Sequence, residues 1–303
     1  MVRPDKVRQD VNCPFPKITI VTPSFNRGQF IEQTIRSVID QEYPNLEYFV
    51  FDGGSTDGTV SILEKYNEHI DFWTSAPDKG QAAAINNGFA KANGEILTWL
   101  NSDDTYEPGV LTEVAKAFQE LPDADVISGR CRIWYGDSRD QLVAPSPLRR
   151  LGDFLKIRTN WMSGRLIVQP EAFFRHSAFE KVGRIREELF YCFDVRLWMD
   201  MAREGCAFHS VDRHWANLRI HKDQKIQNMA GNYKELAGVA WTQLRENWAT
   251  VEDPLSIADE IFSVLDLVIT LERDASKRLR ESKSYRIGRS LTNIMRTLIP
   301  AAK

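Results

Sequence analysis

Long apolar runs are missing from this chain. The longest candidate, IFSVLDLVITL, covers only residues 261–271 and carries Asp266 in its middle, whereas a helix that spans a bilayer needs about 20 mostly apolar residues. The N-terminal segment MVRPDKVRQD has no apolar stretch of the kind found in secretory signals. We therefore expect a cytoplasmic protein that is soluble or, at most, lies on the cytoplasmic face of a membrane.

Cysteine and excess basic charge are also scarce. The four cysteines, Cys13, Cys131, Cys192 and Cys206, lie far apart and form no C-x-x-C pair, so neither a disulfide framework nor a zinc site is indicated. The formal net charge of −3 argues against nucleic acid as a partner, because nucleic-acid-binding domains usually carry a strongly basic surface. With 43% hydrophobic and 27% charged residues, the 303-residue chain suffices for a large packed domain with an extension.

Common nucleotide-binding and phosphotransfer motifs are absent as well. The turn after the first predicted strand, TPSFNRGQF, lacks the G-x-G-x-x-G of nicotinamide oxidoreductases, and no G-x-x-x-x-G-K-[ST] of a P-loop NTPase occurs. The segment FVFDGG is similar to the opening of an aspartyl phosphatase, but Gly54 occupies the position where that chemistry needs a second Asp. These absences disfavour each of those enzyme classes.

What the N-terminal half does contain is an alternation of strands and helices. The predicted strands are 17–22, 46–51, 71–75 and 95–100, and the predicted helices are 29–40, 60–70 and 80–94. This alternation is typical of α/β proteins, in which helices flank an open, mostly parallel central sheet. Further strand-like segments follow residue 125, and beyond Gln227 the chain is predicted to be a helical extension interrupted at Pro254.

Polar residues collect where the predicted strands end. Three strands end in TPSFN, DGGSTD and NSDD, which brings to one edge of the sheet Ser24, Asn26, Arg27, Asp52, Asp57, Asp103 and Asp104. In open parallel sheets, ligands bind outside the carboxyl ends of the strands. Adjacent carboxylates supply the hard oxygen ligands that Mg²⁺ or Mn²⁺ prefers, and such a cation bridges to substrate phosphates. The sequence therefore predicts a phosphate site at this edge, held through a divalent cation.

Structural explanations stay open for the same residues. Asp, Asn and Ser are ordinary turn formers, so Asp103 and Asp104 are also compatible with a simple turn after a strand. Asp52 precedes Gly53 and is equally compatible with a turn. For Asp57 we favour capping of the following helix over ligand binding.

Two longer segments carry a family resemblance. The sequences VTPSFNRGQFIEQTIRSVIDQEYPNLEYFVFDGGSTDGT and PDKGQAAAINNGFAKANGEILTWLNSDDTY resemble the N-terminal domain of family 2 glycosyltransferases, which have the GT-A fold. The likeness is dense from Ile18 to Pro108, thins towards residue 222 and does not extend to the C-terminal helices. It implies an inverting, metal-dependent transfer from a nucleotide-diphosphate sugar, with UDP favoured as the nucleotide and Mn²⁺ or Mg²⁺ as the cofactor.

The resemblance also implies roles for individual donor-site residues. Thr22, Pro23 and Asn26, with Arg27 beside them, fall in the first nucleotide-binding loop. Asp52 matches the residue that binds the base, and Asp78 and Lys79 lie near base and ribose. Ser102-Asp103-Asp104 matches the metal-binding D-x-D motif, although Ser102 stands where the first Asp is usual. Asp104 is therefore the expected metal ligand, and Asp103 is assigned to metal or ribose.

From the second half of the chain we expect a catalytic base and a histidine that contacts the metal or the diphosphate. Asp194 matches the family's catalytic base, and its apolar neighbours are expected to raise its pKa; they are Phe190, Tyr191, Phe193 and Trp198. The alternatives are that Asp194 only caps a helix, or that Asp200 is the base. In NLRIH, His221 is a candidate metal ligand and Arg219 a candidate phosphate contact, although a purely structural histidine is also compatible. Trp161 and Gln169-Pro170 are expected to line the acceptor pocket.

The domain scheme follows from these patterns. We predict a leader at 1–16, a GT-A catalytic domain at 17–226 with nucleotide-sugar (17–124) and acceptor (125–226) halves, and a helical extension at 227–303. The basic amphipathic stretch Arg273–Arg296 is interpreted as a membrane-surface helix, a helix docked on the catalytic domain or an oligomer seam.

The predicted function is transfer of a hexosyl or N-acetylhexosaminyl group to a glycan or lipid-linked acceptor in surface polysaccharide or O-antigen-type synthesis. The alternative is a non-catalytic sugar-nucleotide-binding or assembly protein that keeps the fold. The two differ in whether Asp194 performs chemistry.

Overall fold

The structure, a computed structural model, describes residues 15–136 and 139–281, and within them one nine-stranded sheet forms the centre of the molecule. The strands are β1 (Ile18–Ser24), β2 (Leu46–Asp52), β3 (Phe72–Ser75), β4 (Ile96–Trp99), β5 (Thr105–Tyr106), β6 (Val126–Trp134), β7 (Gln141–Leu142), β8 (Ala172–Arg175) and β9 (Phe208–Arg219). Their spatial order is β3-β2-β1-β4-β8-β6-β9-β5, and β7 pairs with β6.

Helices cover the sheet and continue beyond it. They are α1 (Ile31–Ile39), α2 (Thr59–Lys65), α3 (Gln81–Phe89), α4 (Val110–Glu120), α5 (Leu151–Leu155), α6 (His176–Val182), α7 (Phe193–Arg203), α8 (Met229–Glu246) and α9 (Pro254–Glu281). Short 3₁₀ turns lie at Trp161–Ser163, Gln169–Glu171 and Lys225–Gln227. The predicted α/β architecture with a helical C-terminal part is therefore confirmed for the described residues.

The segment predicted to be the nucleotide half, residues 17–124, contains the parallel strands β1 to β4. Strand β1 pairs in parallel with β2 and β4, and β2 pairs in parallel with β3. Ser24 is in register with Asp52, and Asp52 with Ser75, so the strands end level with one another. Helix α3 packs closely on β1, because a Cβ on Gly88 would lie 2.5 Å from the methyl groups of Val21. The level strand ends place the predicted polar residues on one edge.

The acceptor half is a mixed sheet. Strand β8 lies antiparallel between β4 and β6, while β6 and β9 are parallel, with bulges around Arg130. The short β5, directly after the Ser102–Asp104 segment, pairs antiparallel with β9. This pairing brings the C-terminal end of β9, including Arg219, back to the strand ends of the nucleotide half.

The C-terminal helices share a hydrophobic core with the catalytic sheet. Leu236 and Leu244 of α8 and Ile261 of α9 are buried in the same cluster as Trp99 of β4 and Trp198 of α7. The two tryptophan rings are stacked, with centroids 5.9 Å apart and planes within 17°. Helices α8 and α9 are thus integral to the packing around α7, and the predicted boundary at residue 227 is not a break in the core.

Some sequence expectations fall partly or wholly outside the described residues. Cys13 lies there, as does most of the basic stretch after Glu281. Cys131, Cys192 and Cys206 are buried and free. In the described part of the chain, no helix combines the length and apolar character needed to cross a membrane.

Candidate active site

Asp52, at the end of β2, is held rigidly at the sheet edge. Its side chain is buried, with 2% of the residue's surface exposed. Oδ2 accepts hydrogen bonds from Ser75 Oγ (2.6 Å) and from the backbone N–H groups of Ser55 (2.8 Å) and Gly54 (3.2 Å), and Oδ1 accepts from Ser55 Oγ (2.5 Å). Four donors fix the carboxylate in one orientation, so a ligand meets Asp52 already in place.

The loop after β1 is tied to the loop after β2. Asn26 adopts a left-handed conformation with φ 52°, which Asn tolerates better than most residues. Its N–H donates to Ser55 Oγ (2.6 Å), and its Oδ1 accepts from the N–H of Thr56 (3.0 Å). Next to Asp52 in the sheet, the hydroxyl of Ser24 is buried without a hydrogen-bond partner in the described structure. These hydrogen bonds join the two loops into one preorganised surface, and the hydroxyl of Ser24 lies unpaired beside it in the described structure.

Thr22 and Pro23, by contrast, are buried inside β1. The hydroxyl of Thr22 lies 3.1 Å from that of Tyr48, within the layer between sheet and helices. The hydroxyl of Thr22 therefore joins β1 to β2. Nucleotide binding by Thr22 and Pro23 stays a prediction.

Phe25 is an exposed aromatic residue beside Asp52 that the sequence reasoning did not single out. It exposes 58% of its surface, although it lies between buried Ser24 and the ordered Asn26. A Cβ on Gly53 would lie 3.3 Å from the Phe25 ring and 3.4 Å from both carboxylate oxygens of Asp78, so ring and carboxylate flank the Gly53 backbone. In the sequence, the signal that could have identified Phe25 is a large aromatic residue within the polar loop TPSFNRG.

Asp78 and Lys79 are exposed at the rim of this surface. The carboxylate of Asp78 accepts a hydrogen bond from the N–H of Gly80 at 2.7 Å, just ahead of α3. Asp57 lies on the other side of the first loop, where it accepts from Thr59 N–H and Gly28 N–H (3.2 and 2.9 Å). Asp57 thus supports the start of α2 and joins two loops, as the capping interpretation expected.

Asp104 is the most deeply buried carboxylate at the strand ends, with 1% of its surface exposed. Its Oδ1 accepts from the backbone N–H of Arg219 (3.0 Å), and its Oδ2 accepts from Asn101 Nδ2 (3.2 Å). Burial, and then the negative charge of Asp103, raise the pKa of Asp104 well above the usual value for Asp. A positive charge in this position would stabilise the ionised form of Asp104.

Asp103 and the buried Ser102 complete the motif, and Asp103 faces basic groups. Its Oδ2 lies 2.9 Å from His221 Nε2 and 3.6 Å from Arg27 Nε, and its backbone oxygen accepts from Arg219 Nε (3.2 Å). The backbone N–H of Asp223 donates to Nδ1 of His221 (3.3 Å), an arrangement that favours the tautomer with the proton on Nε2, and metal binding by His221 stays a prediction. In this geometry His221 orients Asp103.

Asp103 and Asp104 fit a divalent cation that keeps part of its coordination shell for water and substrate oxygens. No group of three or more His, Cys, Asp or Glu side chains is arranged around a common point in the described structure. Mg²⁺ and Mn²⁺ sites commonly use one or two carboxylates together with water and phosphate oxygens, which the adjacent Asp103 and Asp104 can supply. A bound cation would offset both causes of the raised pKa of Asp104, burial and the neighbouring charge of Asp103.

Arg219 lies between the two halves of the site. Its guanidinium lies 4.2 Å from the Trp134 ring and 4.9 Å from the Phe30 ring, and it donates to Gln33. Burial lowers the pKa of Arg219, although arginine remains charged at physiological pH. Together with Arg27, it gives the strand ends a positive side next to the carboxylates.

Asp194 occupies the first turn of α7, directly after Phe193, whose ring centroid lies 6.2 Å from that of Trp99 at the end of β4. It is half-buried, and its Oδ1 accepts a hydrogen bond from the N–H of Val195 at 2.8 Å. Burial raises the pKa of Asp194 to about 6, the charge of Lys225 lowers it and that of Glu235 raises it. A carboxylate with such a pKa is ionised at neutral pH and more basic than an ordinary Asp.

The carboxylate of Asp200 is paired with three arginine side chains. It exposes 3% of its surface and lies 3.0 Å from Arg196 Nε, 3.1 Å from Arg203 NH1 and 3.8 Å from Arg186 Nε. Gln243 of α8 donates to its other face at 3.3 Å. Asp200 therefore joins α7 to α8, and of the two candidate bases only Asp194 lacks such a cluster of arginines.

The model of glycosyl transferase family 2 matches residues 19–183. This chain belongs to glycosyl transferase family 2. The matched segment contains Asp52, Asp103 and Asp104, and it ends before Asp194, Arg219 and His221.

Two relatives show how far the similarity to family 2 members extends. A putative teichuronic acid biosynthesis glycosyltransferase of Bacillus subtilis is 26% identical over 76% of this chain and 88% of its own length. A GalNAc(5)-diNAcBac-PP-undecaprenol β-1,3-glucosyltransferase of Campylobacter jejuni is 27% identical over 76% of each chain. Both matches reach beyond the segment covered by the family model.

Solved structures show the same GT-A fold. The S. aureus TarS fragment 1–349 in complex with UDP-GlcNAc aligns with a TM-score of 0.64 at 17% identity, over 89% of this chain and 77% of its own. The mannosyltransferase PcManGT of Pyrobaculum calidifontis, in complex with GDP-Man and Mn²⁺, aligns with a TM-score of 0.58 at 17% identity, over 91% and 86%. The predicted family and fold class are thus confirmed.

In this family 2 member, the residues expected at the acceptor pocket are mostly engaged in the core. Gln169 is buried, and its Nε2 donates to the backbone oxygen of Trp99 (2.7 Å) while its Oε1 accepts from Asn101 Nδ2 (3.2 Å). Pro170 is buried beside it, and Trp161 donates from Nε1 to the backbone oxygen of Phe154 (2.7 Å). Gln169 and Trp161 therefore brace the site, and acceptor contact by these residues stays a prediction.

Proposed function

We propose that the protein transfers a sugar, with inversion, from a nucleotide-diphosphate sugar to a hydroxyl of a glycan or lipid-linked acceptor. The observation that carries this proposal is the combination of a buried Asp103–Asp104 pair flanked by arginines with a separate carboxylate, Asp194, whose pKa is about 6. The first arrangement suits a diphosphate and its cation, and the second suits a general base.

The donor nucleotide is assigned to the surface around Asp52. A fixed carboxylate accepts N–H donors from a pyrimidine base, and the exposed ring of Phe25 offers a stacking surface next to it. UDP is the favoured nucleotide, in keeping with the resemblance of residues 18–108 to family 2 glycosyltransferases and with the complex of TarS with UDP-GlcNAc. A hexosyl or N-acetylhexosaminyl group is the expected cargo.

Asp104, with Asp103, would hold Mn²⁺ or Mg²⁺ at the donor diphosphate. Such a cation neutralises negative charge on the leaving nucleoside diphosphate. PcManGT binds Mn²⁺ together with its GDP-sugar, which supports the same cofactor class here. Arg27 and Arg219 add positive charge on the same side, and His221 keeps Asp103 oriented by its hydrogen bond.

Asp194 is the proposed base. In a single displacement, one carboxylate takes the proton of the acceptor hydroxyl while that oxygen attacks the anomeric carbon on the face opposite the leaving group. With a pKa of about 6, Asp194 is ionised at pH 7 yet a stronger base than an exposed Asp. Its position in the first turn of α7 lies in the half of the chain that is predicted to bind the acceptor.

Synthesis of a cell-surface polysaccharide is the proposed process. The relatives named for teichuronic acid synthesis and for an undecaprenol-linked glucosyl transfer point to glycan or lipid-linked acceptors. On α9, three exposed apolar residues follow one another at seven-residue spacing; they are Leu255, Phe262 and Ile269. This stripe favours peripheral contact at the cytoplasmic face of the membrane, or an oligomer formed through the C-terminal helices.

The decisive experiment starts from donor identity. A thermal-shift panel of UDP-, GDP- and dTDP-sugars with Mn²⁺ selects the donor, and its hydrolysis or transfer is then followed in wild type and Asp194→Asn. We expect one UDP-sugar to raise the melting temperature, and Asp194→Asn to bind it equally well but to lose transfer by roughly 10²–10⁴-fold. Donor binding without turnover in wild type would instead support a non-catalytic sugar-nucleotide-binding protein.

A further inference from the structure

One side chain of α8 holds the segment that leads into α7. The carboxylate of Glu235 accepts hydrogen bonds from three successive backbone N–H groups: Oε2 from Phe190 (3.0 Å), and Oε1 from Tyr191 (2.6 Å) and Cys192 (2.7 Å). Glu235 lies 43 to 45 residues further along the chain than these three. The contact is therefore tertiary, and it comes from a helix outside the segment matched by the family.

These N–H groups have no such acceptor within their own segment. Helix α7 begins at Phe193, and no side chain caps it at Cys192. N–H groups at and before a helix start need an acceptor, and a negative charge there also interacts favourably with the helix dipole. Glu235 supplies both from outside, so the start of α7 depends on α8 for its position.

Other contacts join the same two segments. Asn228 caps α8 through Gly231 N–H and donates from Nδ2 to the hydroxyl of Tyr191 at 2.7 Å. Lys225 donates from Nζ to the backbone oxygen of Phe190 at 3.2 Å, and its ammonium lies 4.1 Å from the Phe190 ring centroid. The segment is thus held by its N–H groups, by a carbonyl group and by side chains, all from residues 225–235.

We propose that Glu235 is a positioning residue for the transfer reaction: its carboxylate fixes the start of α7, and thereby the place of the Asp194 carboxylate against the acceptor hydroxyl. The inference rests on the proposed base role of Asp194, which lies only two residues beyond the last N–H group that Glu235 binds. A base displaced by about 1 Å can lose about 10²-fold in rate, because proton transfer requires hydrogen-bond distance to the attacking hydroxyl.

Glu235 also acts on Asp194 through its charge. Its negative charge raises the pKa of Asp194, in the same direction as burial, while the positive charge of Lys225 lowers it. Lys225 in turn interacts with both carboxylates. Removal of the Glu235 charge is therefore expected to lower the pKa of Asp194, a consequence that a purely structural side chain would not have.

The test compares Glu235→Gln with a matched control on the same helix, Glu246→Gln, whose side chain is exposed at the end of α8. Gln keeps the size of the side chain but loses its charge and cannot accept all three hydrogen bonds. We expect Glu235→Gln to lower kcat at least about tenfold, to leave the donor dissociation constant within twofold, and to move the acid limb of the pH profile of kcat to lower pH. The control should match wild type in all three.

A second variant guards against misfolding. Glu235→Asp keeps the charge and shortens the side chain, so it should bind fewer of the three N–H groups and lower kcat while leaving the acid limb in place. A wild-type kcat in Glu235→Gln, or in Glu235→Asp where the Gln variant does not fold, overturns the proposal. If Asp194→Asn keeps full transfer, the base role itself fails; if Asp194→Asn is inactive and the Glu235 variants are normal, only the positioning role fails.

Discussion

The proposed donor side and the proposed acceptor side of the site are built over different distances in sequence. Asp52 is held by Ser55, 3 residues away in the loop after β2, and by Ser75, 23 residues away at the end of the neighbouring parallel strand β3. The segment before Asp194 is held by Glu235, more than 40 residues away and in a different layer. The donor side therefore follows from the sheet itself, whereas the acceptor side depends on helices packed against it.

The two sides meet at the acidic motif. Arg219 and His221 contact Asp104 and Asp103 across 115 and 118 residues, because β5 and β9 bring the two chain segments together. Among the described residues, this junction is where we expect a single substitution to affect both donor binding and catalysis. Substitutions elsewhere should separate the two sides.

The largest effect is expected at the junction itself. Asp104→Ala removes the main proposed cation ligand, and we expect kcat/KM to fall on the order of 10³-fold, together with loss of the Mn²⁺ dependence of donor binding, because several kcal/mol of charge stabilisation disappear. Titration calorimetry of UDP with and without Mn²⁺ measures this. Asp40→Ala, at an exposed carboxylate of α1, is the control. Equal Mn²⁺-dependent affinity in Asp104→Ala and wild type would contradict the ligand assignment.

The next effect concerns stability on the acceptor side. Asp200→Ala leaves Arg186, Arg196 and Arg203 without their shared carboxylate, and we expect a loss of about 2–3 kcal/mol in the free energy of unfolding, less than for a fully buried pair because the arginines are partly exposed. Urea denaturation measures it, with exposed Asp266→Ala of α9 as the control. An unchanged donor affinity in Asp200→Ala would show that the two sides are independent. A large loss of donor affinity would contradict that independence.

A smaller effect is expected from two exposed phenylalanines, one on each side. Phe25→Ala should weaken donor binding by about tenfold through lost base stacking, with little change in stability since the ring is 58% exposed. Phe190→Ala, equally exposed at 55% beside the start of α7, should leave donor affinity unchanged. Both dissociation constants come from the same calorimetric titration. Similar losses in both variants would show that the donor surface extends to α7.

The mildest expectation is a pH dependence. Because burial raises the pKa of Asp194 to about 6, the ionised base is lost as pH falls, and kcat should drop to about half near pH 6 and by about tenfold per unit below it. The contribution of Asp194 to the free energy of unfolding depends on pH in the opposite direction to kcat. A carboxyl with a raised pKa in the folded state favours folding in its protonated form, so this contribution is lost as pH rises through 6. A flat kcat profile from pH 5 to 8 would argue against Asp194.

Much of the donor side could be predicted from sequence, because its information is local. The strands at 17–22, 46–51 and 95–100 correspond to β1, β2 and β4, and the polar residues after them converge because parallel strands end together. The side-chain direction of Thr22 was harder to predict. Its hydroxyl faces Tyr48 inside the layer, since alternate residues of a strand point to opposite faces.

The long-range contacts of the site could not be derived from sequence patterns, although the family resemblance named Arg219 and His221 as candidate site residues. The pairing of β5 with β9 joins residues more than 100 positions apart, and so do the contacts of Asp103 with His221 and of Asp104 with Arg219. A contact of this kind leaves no periodicity in either segment. Glu235 shows the same limit: on α8 it is an ordinary charged residue, and only the folded chain reveals its three N–H partners.

The stacked tryptophans of the core have a mechanical consequence. Trp99 precedes the acidic motif by a few residues, and Trp198 lies one helical turn after Asp194, so the ring pair joins the end of β4 to α7. Packed aromatic rings are nearly incompressible, because protein interiors have the density of organic crystals. A change in the distance between β4 and α7 would therefore require the core around the two rings to repack.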